Sequence, residues 1–194
     1  MRKLFLIRIV HTATDMGSMS DGLMKEGMAK IGKEKWLLNQ KKIEQFWDDL
    51  EKEIDGLDLD YSRTRIYQDG LPCSGDMGLR IVRETAEKGS RNYQIVRKLI
   101  ERGGAIEATE NPQLLRKEYE HIKALLTAQT NDDKIAAANT YDMIKDELIH
   151  ERDAYIAKAI DISLKDDETG VLFIGAFHNV LPLLAKDIEV KSLD

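Results

Sequence analysis

Two short apolar runs at opposite ends of the 194-residue chain constrain its fold more than any other feature: Leu4 to Val10, in KLFLIRIVH, and Val171 to Gly175, in VLFIGAFH. Both are rich in Leu, Ile and Val and read as buried strands. Between them the pattern alternates. Trp36, Ile43, Phe46, Trp47, Leu50 and Ile54 recur at helical spacing, so 35–54 reads as an amphipathic helix stopped by Gly56. Arg65 to Gln68 reads as a strand closed by an Asp69-Gly70 turn. Helices follow over 75–88 and 92–104, then a strand over 105–110. Asn111 before Pro112 caps a helix running to about Gln129, with Leu115, Tyr119, Ile122 and Leu126 inward. Asp132 or Asp133 starts a last long helix to about Leu164, and IEVKSL reads as a final strand. Strands alternating with helices predict a single α/β domain over 1–194, a mostly parallel sheet flanked by helices, with a long helical hairpin inserted at about 111–164. The Gly-, Ser- and Met-rich stretch 12–33 reads as a long loop with at most a short helix.

The chain holds four histidines, and two of them follow the apolar runs: His11 after the first, His178 just past Gly175 of the second. In an open parallel sheet, ligands bind at the carboxyl ends of the strands. His11, Asp69, Glu110 and His178 each lie at or just beyond such an end, so parallel strands bring them to one edge. Imidazole with carboxylate suits a divalent metal, with His11, His178 and Glu110 as ligands, and it suits proton transfer near neutral pH. On the long helix, Tyr141, Leu148, Tyr155 and Ala159 share a face at 100° per residue, and Arg152 falls near its centre. A guanidinium in an apolar stripe must be paired. Two readings of Arg152 stay open: a structural ion pair, or an anion-binding group of the site. His150 and His121 read as surface residues.

The segment ERDAYIAKAIDISLKDDETGVLFIGAFHNVLPLL, with Arg152-Asp153, Ile156-Ala157 and Gly175-Ala176-Phe177-His178, resembles the C-terminal half of the TraB/Tiki/ChaN/erythromycin-esterase-like superfamily. There an Arg-Asp helix precedes a strand, a G-x-x-H motif and an apolar helix. The superfamily opens on another strand ending in G-x-x-H. Here Arg8-Ile9-Val10-His11 keeps the histidine and lacks the glycine. The resemblance implies an α/β core and a site of two histidines, acids and an arginine. It leaves the reaction open among metal-dependent proteolysis, haem or iron binding and ester hydrolysis.

Composition narrows the rest. A net charge of −6 argues against a nucleic-acid-binding role. One cysteine, Cys73, excludes an intramolecular disulfide and a cysteine-rich zinc site. No apolar run approaches the ~20 residues of a membrane span. Arg8 interrupts the N-terminal run, which therefore reads as a first strand of a cytoplasmic protein rather than a signal peptide. Phosphate-loop, dinucleotide-binding, H-E-x-x-H and G-x-S-x-G motifs are all missing from the sequence. The expected function is a hydrolase-type enzyme acting on a small molecule or peptide, with or without a divalent metal ion, and open to homo-oligomerisation. Its site would combine His11, His178, Arg152, Glu110 and Asp69. The alternatives are a non-enzymatic small-molecule or metal-binding protein, and a helical interaction module.

Overall fold

The computed structural model describes residues 1–10, 12, 14–15 and 19–193. Among these residues, five strands form one sheet in the order β3-β2-β4-β1-β5, and every neighbouring pair is parallel. They are β1 (Arg2–Ile9), β2 (Thr64–Gln68), β3 (Ala105–Glu107), β4 (Thr169–Gly175) and β5 (Ile188–Leu193). Seven helices connect them among the described residues: α1 (Ser20–Ile31), α2 (Lys33–Asp55), α3 (Gly75–Glu87), α4 (Arg91–Glu101), α5 (Pro112–Thr127), α6 (Asn131–Asp142) and α7 (Lys145–Ser163). The fold is α/β, as the alternation of patterns predicts. No described helix is long and apolar enough to cross a membrane.

Strand side chains alternate between faces, and both faces are covered. Ile7 and Ile9 of β1, Val171 and Phe173 of β4 and Ile66 of β2 pack on one side with Trp47 and Leu50 of α2, Val82 of α3 and Val96 and Leu99 of α4. Leu4, Leu6, Leu172, Ile174 and Tyr67 face the other side, where Ile156 and Ile160 of α7 meet them. This two-sided burial is why β1 and β4 read as continuous apolar runs. Local signals place the helix starts. Ser90 accepts a hydrogen bond from Tyr93 N at the start of α4, and Asn111 accepts from Gln113 N and Leu114 N at the start of α5.

Four elements depart from expectation. The strand expected over 105–110 ends at Glu107, because Thr109 N and Glu110 N both donate to Leu71 O and bend the chain out of the ladder. Half of the stretch 12–33 is α1, whose Gly27 lies close against the Trp36 indole and whose Gly22 lies against Leu126. The segment 112–163 is three helices rather than a two-helix hairpin. Its second helix is capped by Thr130, which accepts from Asp133 N, and it stops at Asp142, with Met143 and Ile144 forming a turn. No glycine or proline marks that turn. The buried face of α7 runs through Leu148, Arg152, Ile156 and Ile160 and leaves Tyr155 exposed, a rotation from the expected stripe.

Gly78, in the first turns of α3, tests a case where propensity and packing oppose each other. Alanine is the better helix former by about 1 kcal/mol. A Cβ there would lie 2.5 Å from the Cys73 carbonyl oxygen, a backbone atom with little room to retreat. Gly78→Ala is therefore expected to lower the unfolding free energy by about 1–3 kcal/mol. A stabilised variant in denaturant titration would show that the loop before α3 yields freely.

Candidate functional site

Four neighbouring strands deliver residues to one place. Asp69 is the first residue after β2, Glu110 follows β3, His178 follows β4, and Ile9 ends β1 beside them with Val10 just past it. Ile9 pairs in register with Gly175, so the two outermost apolar runs end side by side. His11, the first histidine of the expected site, lies outside the described residues. Gly70 makes the turn behind Asp69: its φ of 79° is a left-handed conformation that glycine adopts without strain. Leu71 N closes that turn on Gln68 O. Asp69 N donates to Phe173 O, and Asp69 Oδ2 accepts from Gly175 N at 2.9 Å, which ties the ends of β2 and β4 together.

Arg152 reaches this edge from α7. It is 6% exposed, and its guanidinium is bound on every side. Nη2 donates to Asp69 Oδ1 at 2.8 Å and to Glu110 Oε1 at 2.5 Å, Nε contacts both Glu110 oxygens at 3.2 Å, and Nη1 donates to Glu118 Oε2 at 2.6 Å. The next residue, Asp153, serves the histidine. Its Oδ1 is 2.6 Å from His178 Nδ1, and its Oδ2 accepts from Asn179 N at 2.8 Å. His178 Nε2 then faces Asp69 Oδ2 at 3.4 Å. The imidazole is fixed at one nitrogen by Asp153 and lies beside a second carboxylate at the other.

The structure shows the ion pair of the first reading of Arg152 and places it beside the histidine. That pair is buried and is part of the histidine site, because Asp69 touches both Arg152 and His178. Asp69, Glu110, Arg152 and His178, all expected from sequence, meet within one network. Two members were not expected. Glu118 lies at the flank of the stripe Leu115-Tyr119-Ile122-Leu126, among the charged residues of α5, so no local signal sets it apart. Asp153 is the second half of the Arg152-Asp153 pair. His150 is exposed, while His121 is half-buried and stacks on Tyr141.

The network forms the floor of a cleft of about 450 Å³. Asp69, Glu118, Arg152 and His178 line the bottom, and Leu115, Ile122, Ile149, Phe177, Ile9 and Val10 line the walls. Phe177 is 91% exposed at its rim. An apolar cleft with a few convergent polar groups is the usual form of a small-molecule site.

The electrostatics follow from burial and pairing. Burial raises the Glu110 carboxyl and outweighs the opposing Arg152 contact, leaving it at about 7. Burial acts to lower His178, but the hydrogen bond and charge of Asp69 and the bond to Asp153 outweigh it, so the imidazole is raised above its ordinary value. Burial also works against the charge on Arg152, and Glu110, Asp69 and Glu118 more than restore it. Both raised groups hold protons in the folded state that the unfolded chain gives up. The stability due to Glu110 is therefore complete below about pH 4.5 and is lost as pH rises through about 7. That of His178 is complete below about pH 6.5 and is lost above it, as pH passes its raised value. Unfolding free energy is expected to fall from pH 5 to pH 8, with Glu110 contributing on the order of 2–3 kcal/mol. Glu110→Gln should flatten the part of the slope below pH 7. Urea titrations across that range that show stability rising with pH would contradict the proton placement.

Asp69, Glu110 and His178 also offer donor atoms within 4.8 Å of one another, a spacing suited to a metal ion. In this structure the cation that spans Asp69 and Glu110 is the Arg152 guanidinium, and a metal bridging them would have to expel it. As they stand, these residues fit Arg152 better than an ion. No protein-family model, curated protein or solved structure matches the chain.

Proposed function

We propose that this chain is a hydrolase that uses His178 as its acid–base group and Arg152 as its electropositive group, on a small substrate with an apolar portion. The observation that carries the reading is the Asp153–His178 contact of 2.6 Å on the floor of an apolar cleft. A carboxylate at Nδ1 fixes the tautomer and ring orientation, and Nε2, which faces Asp69 Oδ2 at 3.4 Å, exchanges its proton with water or substrate in competition with that carboxylate. Arg152 is locked by Asp69 and Glu110, and its Nη1 meets a developing oxyanion in the same cleft when that negative charge displaces Glu118. The likeness of Arg152-Asp153 and Gly175 to His178 to the esterase-containing superfamily supports the same assignment, as these are the residues that meet here.

The compactness of Asp69, Glu110 and His178 favours a second reading, in which a divalent ion takes the place of the guanidinium. One experiment separates the two. The purified protein is screened against neutral esters and amides of apolar acids, before and after chelation and with Zn²⁺, Mn²⁺ or Mg²⁺ restored. Turnover that survives chelation and vanishes in His178→Ala supports the first reading. Turnover that needs added metal supports the second, and no turnover on any substrate leaves neither.

A further inference from the structure

Glu118 differs from the other partners of Arg152. Asp69 and Glu110 have side chains 4% and 0% exposed and sit on the strand-end loops, whereas the Glu118 side chain is 23% exposed. It rides on α5, a helix with no fully buried residue, and it lines the cleft over His178 on one side and a second cleft on the other. Of the three carboxylates on the guanidinium, it is the most exposed, and it borders both clefts. Its Oε2 accepts from Arg152 Nη1, and its Oε1 is steadied by Tyr141 Oη at 3.0 Å.

We propose that Glu118 stands in for the carboxylate of a ligand. A compound with one carboxylate and an apolar body displaces Glu118 from Arg152 Nη1 and fills the cleft over His178. This inference rests on reading that cleft as the substrate site, and it names the chemical class the site takes. The exchange leaves the charge around Arg152 unchanged, because one carboxylate replaces another while Glu118 turns to solvent. A neutral ligand gains nothing from the guanidinium, and Glu118 stays in its way. The apolar walls supply the remaining affinity, since Leu115, Ile122, Ile149 and Phe177 face an alkyl or aryl body. For a hydrolase this is also where the acid released from an ester or amide would rest.

The test is equilibrium binding, which needs no turnover. Octanoate and its uncharged analogue octanamide are titrated by calorimetry into the wild-type protein, Glu118→Gln and Tyr141→Phe. Octanoate is expected to bind Glu118→Gln about tenfold more tightly than wild type, the gain for freeing one charged hydrogen-bonding position. Tyr141→Phe keeps the charge but unties Glu118, and it should shift octanoate in the same direction by a smaller factor. Octanamide should show neither gain. Equal gains for both compounds, weaker octanoate binding in Glu118→Gln, or no octanoate binding to any of the three proteins would overturn the proposal. If binding fails while ester hydrolysis persists, only the role of Glu118 falls. If binding succeeds without hydrolysis, the hydrolase reading falls instead.

Discussion

Replacing Arg152 with methionine is expected to lower the unfolding free energy by about 3–5 kcal/mol at neutral pH, the cost of leaving buried charge uncompensated. The large effect comes from what remains. Asp69 and Glu110 are 5% and 0% exposed, and they would face each other and Glu118 without the cation that now separates them. Protonation is their way out, so the deficit should shrink at pH 5, where Glu110 already holds its proton. Arg152→Lys keeps one charge but cannot reach three carboxylates with the planar fork, and should cost roughly 1–2 kcal/mol. Urea unfolding of both variants at pH 7 and pH 5 measures this. A methionine variant within 1 kcal/mol of wild type at pH 7 would mean that water solvates the cluster despite its burial.

The second large effect concerns the histidine. Under the proposed function, His178→Ala should reduce hydrolysis by about 10²–10⁴-fold, the usual contribution of a positioned acid–base group. Asp153→Asn is the more informative variant. An asparagine still has a side-chain oxygen to accept the bond from Asn179 N, so the turn after β4 should survive. It cannot place negative charge at Nδ1, so the His178 pKa should fall. The limb of the pH–rate profile set by that group should then move to lower pH, with the rate reduced roughly 10²-fold at the optimum. A loss of rate with the limb unmoved would show that Asp153 only holds the loop, and that the titrating group lies elsewhere.

The sequence by itself determined the α/β layering. Leu4 to Val10, broken by Arg8, and Val171 to Gly175 carry apolar residues on both faces, as strands of a parallel sheet covered on both sides do. The 3.6-residue stripes of α2 and α7 then supply that cover. It also placed Asp69, Glu110 and His178 at strand ends, where parallel pairing gathers them, and it marked Arg152 as a charge that had to be paired. These features were visible because each depends on a local period, or on the end of an element. The break between α6 and α7, the rotation of the buried face of α7 away from Tyr155, and the partners of Arg152 and His178 were decided by the tertiary structure. Asp153 and Glu118 lie on helices crowded with charge, where nothing local separates a carboxylate that faces solvent from one that faces inward. Their roles depend on how α7 settles against the sheet and how α5 lies over it, a choice made by packing between residues far apart in the chain. Arg152 was visible for the opposite reason: its chemistry conflicts with its own apolar stripe.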